Sequence, residues 1–233
     1  MGLLPNGVFG DMGSDDNTEM STHATALASA GTRPLTFVDV NLAFNGSVMA
    51  NNSYTSRTTE GVVSSGTADL VSFVRLYLSN PDLVERFQND WPLNSAINAE
   101  YFWDASKGDE CYHTFKPYQP TSGKPKHVRT VKSPAATTRS TSQRPSVSAA
   151  IENYNFFTPL QLADGLVLKK RIVYGPTRAR SDPVSHVPLE RNIQYYEQRA
   201  SAGLIITEGT AVSEQGFGWY GAPAVYTDEQ EAG

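Results

Sequence analysis

Residues 155–183 read NFFTPLQLADGLVLKKRIVYGPTRARSDP. A short apolar lead-in meets a glycine turn, then a cationic pair, a strand-length run and a polar Pro176-Thr177-Arg178 tip. This is how an enzyme domain opens, yet it begins two-thirds of the way along 233 residues. Downstream, VPLERNIQYYEQRASAG predicts an amphipathic helix with Leu189, Ile193, Tyr196 and Ala200 on one stripe, opened by Pro188 and closed by Gly203. LIITEGT then predicts a continuously apolar, buried strand. Strand, helix and strand at this spacing argue for a parallel α/β sheet.

Upstream, the alternation repeats. GSVMANN is a short strand, and TSRTTEGVVSSG is a helix ending at Gly66. ADLVSFVR has the length of a strand, and TEMSTHATALASAG is a helix stopped at Gly31. NPDLVERFQND carries a helix start, with Asn80 as the cap, Pro81 in the first turn and Asp82 at the positive end of the dipole. The tail from Trp91 to Tyr118 is aromatic and irregular. Between the pieces, residues 119–150 are rich in Ser, Thr and Pro and carry six Lys/Arg, and no acidic residue falls between Glu110 and Glu152. With few bulky apolar residues, this stretch cannot offset its ordering entropy. The expected organisation is a first piece, 1–118, a disordered basic linker, 119–150, and a second piece, 151–233.

Composition narrows the function. The hydrophobic content is 39% and the mean hydropathy -0.38, which fits a partly unpacked chain. A net charge of -5 argues against nucleic-acid binding. The basic linker has no interleaved aromatic residue for base stacking, so a solvated linker is the better account of its charge than an RNA contact. One cysteine, Cys111, excludes a disulfide framework and a multi-cysteine zinc site. No run approaches the ~18 apolar residues of a membrane helix. MGLLPNGVFG has neither the basic start nor the long apolar core of a secretory signal. A soluble cytoplasmic protein is expected, with no membrane partner.

In parallel α/β folds, ligands gather at the C-terminal ends of the strands. Four tips therefore matter: Asn51, Asn52 and Ser53; Val74 and Arg75; Pro176, Thr177 and Arg178; and Gly209, Thr210 and Ala211. Gly, Ser and Asn permit close backbone approach, and Arg75 offers a fork for a phosphate. Such residues are also ordinary in loops.

The segments FTPLQLADGLVLKKRIVYGPTRARSDP and VPLERNIQYYEQRASAGLIITEGTAVSEQGFGWYGAPAVYTDEQ carry a resemblance. So do PNGVFGDMGSDDNTE, SVMANNSYT and GTADLVSFVRLYLSNPDLVERFQNDWPLN. Together they resemble old yellow enzyme, the family of FMN-dependent NAD(P)H:flavin oxidoreductases that includes the 12-oxophytodienoate reductases. The resemblance implies a (β/α)8 TIM barrel with FMN at its C-terminal face. Residues 151–233 resemble the family's beginning, around strands 1 and 2, and residues 1–118 its end, around strands 7 and 8. The expected fold is a partial or permuted barrel, strands 7–8 followed by strands 1–2, without the middle strands. Strand 8 pairs with strand 1 in a closed barrel, so the pieces are expected to dock through that ladder. The arc leaves open edges that favour self-association.

Residue by residue, the resemblance implies that Thr177 hydrogen-bonds the flavin carbonyl near N5, with Pro176 beside it and Gly209 a backbone contact. It places Asn51 and Ser53 where backbone amides hold the FMN phosphate and Arg75 where an arginine grips it. Tyr112 matches an aromatic on the substrate side. The departures are Val74 and Ala50 where the family has glycine, Gly2 where it has an arginine, Cys111 for a glycine, and a leucine missing between Pro176 and Thr177. The stretch from Gly31 to Arg33 omits a strand and its loop. No segment matches the family's His-x-x-Asn or His-x-x-His pair or its proton-donating tyrosine. The histidines at 23, 113, 127 and 186 lie in no matching context and lack metal-ligand spacing. Cys111 has no paired base. Glu208 and Glu214 could form an acid/base pair, although a strand-end charge and a solvated loop charge are the plainer roles. The implied activity is FMN-dependent reduction of a small-molecule enone with NAD(P)H as electron donor. The alternative is a non-catalytic fragment, or two adjacent family members fused in one gene model.

Overall fold

The computed structural model describes residues 37–51, 53–97, 101, 107–120, 153–177 and 180–233. The helix expected to stop at Gly31, Gly2, the linker beyond Pro120, Asn52, Arg178 and the histidines at 23 and 127 lie outside the described residues.

Four parallel strands form the main sheet: β1 (Met49–Asn51), β2 (Leu70–Phe73), β5 (Ile172–Tyr174) and β6 (Leu204–Ile205), in the order β1-β2-β5-β6. An antiparallel hairpin, β3 (Leu160–Ala163) and β4 (Leu166–Leu168), precedes β5. Gly165 makes its turn at φ 76°, a left-handed conformation that glycine adopts without steric cost. Helices α1 (Phe37–Ala43), α2 (Ser56–Ser64), α3 (Arg75–Ser79), α4 (Leu83–Gln88), α5 (Glu190–Glu197) and α6 (Asp228–Ala232), with 3-10 turns at Asn155–Phe157 and Glu214–Gly216, complete the described elements.

The two pieces meet within the sheet, where Val71 lies opposite Ile172, Ser72 opposite Val173 and Phe73 opposite Tyr174. Hydrogen bonds Val71 N to Arg171 O (3.0 Å) and Gly175 N to Phe73 O (3.1 Å) belong to this junction. Side chains reinforce it. Asn155 Nδ2 donates to Glu60 Oε1 at 2.8 Å, Ser201 Oγ to Glu85 Oε2 at 3.0 Å, and Gln198 Nε2 to the His113 carbonyl at 2.9 Å.

Strand alternation divides the core in two. Ala50, Val71, Phe73, Ile172 and Tyr174 point to the face covered by helices, where they pack with Val63, Tyr77, Leu83, Val84, Phe87, Phe156 and Tyr195. Leu70 and Val173 point to the opposite face, which the hairpin covers in part through Leu168. Around them Met49, Leu160, Leu162, Leu204 and Ile206 are only half-buried.

Local chemistry explains the helix starts. Thr55 caps α2 reciprocally: its side chain accepts from Thr58 N, and its own N–H donates to Thr58 Oγ1 at 2.8 Å. Asn80 does not cap α4 as expected. It terminates α3, donating to the Leu76 carbonyl at 2.8 Å and accepting from Asn94 N at 2.7 Å. The start of α4 falls to Asp82, whose carboxylate is spent on buried Arg86 (2.8 Å) and on Tyr118 N (2.7 Å). That pair ties the irregular tail to the core.

Two further expectations change. The buried face of α5 is Asn192 and Tyr195, continued by Arg199 in the turn that follows, one residue back from the expected stripe, and Ile193 is 50% exposed. Stacking of Tyr195 on Tyr112, and of Arg199 on Tyr195, orients the helix more strongly than Ile193 could. The LIITEGT strand ends at Ile205 and is half-buried, because β6 is a sheet edge with one neighbour.

Candidate functional site

Because the strands are parallel, their C-terminal ends share one edge of the sheet. The register sets Asn51 opposite Ser72, Phe73 opposite Tyr174, and Tyr174 opposite Ile205. Beyond this edge come Ser53, Arg75, Pro176, Thr177 and Gly209, so topology delivers all the expected cofactor residues to one side. Ser53 is exposed with φ 52°, and Arg75 opens α3, half-buried. Both already have partners within the protein.

The tips of β2 and β5 are in direct contact. A Cβ on buried Gly175 would stand 2.9 Å from Val74 Cγ2 and run into Ser72 Oγ, so only glycine permits this approach. Val74 sits at φ -116° and ψ -70°, on the negative-φ side that a β-branched residue can take. No left-handed dihedral is required at this position, and the Val74 methyl fills space beside Gly175.

Behind the edge lies a polar aromatic column. Tyr112 stacks on Tyr195, with centroids 4.2 Å apart and planes at 7°. The hydroxyls of Tyr174, Tyr195 and Thr177 hydrogen-bond one another. Fully buried Arg199 lies 3.7 Å from the Tyr195 ring centroid and donates to the carbonyls of Tyr195 (2.8 Å) and Leu78 (3.2 Å). Arg180 lies over Tyr112 at 5.3 Å, and Asn192 Nδ2 donates to the Tyr112 hydroxyl at 3.1 Å. Burial holds the Tyr112 and Tyr174 phenols well above their usual range, so both stay protonated at neutral pH.

A small cleft opens in front of this column, lined by Leu78, Ile97, Tyr101, Cys111, Tyr112, Thr177 and Arg180. Thr177 and Tyr112 both line it, whereas Asn51, Ser53, Arg75, Pro176 and Gly209 are not in the lining. Burial and neighbouring Glu110 raise the Cys111 thiol, which keeps it protonated and poorly nucleophilic. Glu208 lies just beyond the end of β6, and exposed Glu214 stands apart from it in the following loop. Glu208 is buried and accepts a hydrogen bond from Tyr196, and desolvation raises its carboxyl above the usual range. His186 stacks on Phe217 at 3.8 Å, with Nδ1 3.1 Å from the Ala222 carbonyl, a structural setting. Among the described residues no cluster of His, Cys, Asp and Glu could hold a metal, and no helix is long and apolar enough to cross a membrane.

The fit of these residues to FMN is uneven. An arginine and small polar residues after adjacent strands β1 and β2 suit a phosphate. The ring side does not suit a flavin. The Thr177 hydroxyl is engaged by two tyrosine hydroxyls, and a Cβ on Gly209 would already stand 3.0 Å from the Trp219 ring. The phosphate side therefore suits FMN, while the ring-side positions are occupied by the protein's own side chains. Sequence reasoning missed Tyr195, Arg199, Asn192 and Arg180. The spacing of Tyr195 and Arg199, one helical turn apart, was the available signal.

Residues 155–233 match the family described as NADH:flavin oxidoreductase / NADH oxidase. Flavin oxidoreductase hxnT of Emericella nidulans is 40% identical over 82 residues, which is 33% of this chain and 21% of that protein. Putative 12-oxophytodienoate reductase 11 of Oryza sativa subsp. japonica is 48% identical over 61 residues, 26% of this chain and 16% of that protein. A probable inactive reductase, easA of Epichloe festucae var. lolii, is 41% identical over 81 residues, 34% of this chain and 21% of that protein. Among solved structures, the old yellow enzyme homologue from Zymomonas mobilis is 44% identical over 33% of this chain and 21% of its own, with a TM-score of 0.31. The chain spans about a fifth of the length of these relatives.

Proposed function

We propose that this chain serves flavin-dependent oxidoreduction as one half of a barrel, with β1, β2, β5 and β6 in the places of barrel strands 7, 8, 1 and 2. The observation that carries the reading is the delivery of Asn51, Ser53, Arg75, Thr177 and Gly209 to one sheet edge. On this reading the edge grips the phosphate end of FMN through Arg75 and the Asn51–Ser53 turn. Reduction of an enone with NAD(P)H belongs to a completed barrel. A single copy does not turn over, because its ring-side positions are filled by its own side chains.

The test compares FMN with riboflavin, which lacks the phosphate. After incubation and removal of free flavin, the visible spectrum is expected to show retained FMN and little riboflavin. A hydrogen-bonded charge contributes about 1.5–3 kcal/mol, so Arg75→Ala is expected to weaken FMN retention roughly tenfold or more. Equal retention of the two flavins, or retention of neither, overturns the phosphate grip.

A second reading is a non-catalytic fragment with no flavin ligand. The engagement of Thr177 by Tyr174 and Tyr195, and the Trp219 ring against Gly209, favour it. So does the matched relative whose name marks it as a probable inactive reductase. Folded protein that retains no FMN is its expected outcome.

A further inference from the structure

We infer that a second copy of this chain closes the open face of the sheet, with β6 of each copy lying parallel against β1 of the other. The inference rests on the half-barrel reading proposed above, and its grounds are the sheet's direction, edges and exposed surface. All four strands run parallel, so the two edges of the sheet are different: β1 on one side and β6 on the other. A two-fold rotation brings the β6 edge of one copy to the β1 edge of its partner with strand direction kept, and uses up both edges at once. The seam is continuous with the ladders that already join β2 to β5 and β5 to β6. The product has eight parallel strands, the number at which side chains just fill a barrel interior.

Among the described residues, β1 and β6 each pair with one neighbour. β1 is Met49-Ala50-Asn51, and β6 is Leu204-Ile205 followed by Ile206 and Thr207. Neither carries the lysine, proline or other charge that commonly keeps an exposed strand from pairing. The face between them is apolar and unfinished, with Met49, Leu160, Leu162, Leu204 and Ile206 only half-buried. Helix α1 leads into β1, and right-handed crossover places such a helix over the seam with the preceding strand. Leu42 and Phe44, at the end of α1, are 84% and 48% exposed, and the seam would cover them. Closure also completes the candidate site, since the β6 tip of one copy comes beside the β1 tip of the other.

Light scattering on the full chain at micromolar concentration is expected to give twice the 25.4 kDa chain mass and nothing larger. Met49→Lys with Ile206→Lys is expected to yield a monomer. Should that variant fail to fold, cross-linking decides the matter. Full chains carrying Cys111→Ser with either Asn51→Cys or Ile206→Cys are mixed and treated with a short bismaleimide. Closure predicts links between the two kinds of chain. A monomeric wild-type chain, an open-ended polymer, or links joining only residues of the same kind would overturn it. FMN retention on the same samples separates the two proposals: a flavin-free dimer keeps the closure and sinks the phosphate grip, and a flavin-binding monomer does the reverse.

Discussion

The two faces of the sheet are built from neighbouring residues of the same strands, yet only one is finished. Toward the helices, Val71, Phe73, Ile172 and Tyr174 are buried among aromatic partners such as Phe87, Phe156 and Tyr77. On the other side, Leu70 and Val173 find the hairpin's Leu168, and the apolar side chains around them stay half-exposed. The difference follows from what each residue type meets one pleat later: a helix on one side, a short hairpin on the other. On the closure proposed above, stability resides on the helix face and assembly on the open one.

Substitutions on the two faces test that separation. Phe156 is fully buried between Phe87, Phe157 and Tyr154, and Phe156→Ala is expected to cost about 3–5 kcal/mol in chemical denaturation. A loss below 1 kcal/mol would deny the helix face its role. Next comes Gly203, where a Cβ would collide with the Lys170 carbonyl as the chain enters β6. Gly203→Ala is expected to cost about 1–3 kcal/mol, because backbone, not a mobile side chain, must yield. On the open face, half-buried Leu162 is expected to lose only about 1 kcal/mol on substitution by Ala when measured in dilute solution, since little of its area leaves water. An equal loss at Phe156 and Leu162 would erase the distinction between the faces.

The parallel sheet and the strands at Met49–Asn51, Leu70–Phe73 and Ile172–Tyr174 were legible, because apolar runs of strand length between turn residues have few other solutions. Thr177 and Tyr112, from separate pieces, line one cleft, a meeting that no local pattern in either piece announces. The buried face of α5 was not legible. Its hydrophobic period allowed two stripes a residue apart, and the choice depended on Tyr112, which is distant in sequence. The engagement of Thr177 was hidden for the same reason, since Tyr174 at a strand end gives no local sign of whether its hydroxyl meets water or a neighbour. Burial of Glu208 likewise depends on Tyr196, a helix away.

Glu208 sits just beyond β6, on the rim where the two faces meet, and gives the smallest predicted effect. Its carboxyl is buried and accepts from Tyr196, and desolvation raises its pKa above the ordinary 4.5. The folded state then holds the proton more tightly than the unfolded state. The resulting stabilisation is complete below pH 4.5 and is lost as pH rises through the raised folded value. Glu208→Gln keeps an oxygen acceptor for Tyr196 and removes the titration. The wild-type melting temperature is therefore expected to fall relative to the variant as pH rises above 4.5, by about 2–4 °C for each kcal/mol lost, and then to level off. Parallel curves for the two proteins across this range would mean that the rim carboxylate is solvated, placing Glu208 with the open face instead of the helix-packed one.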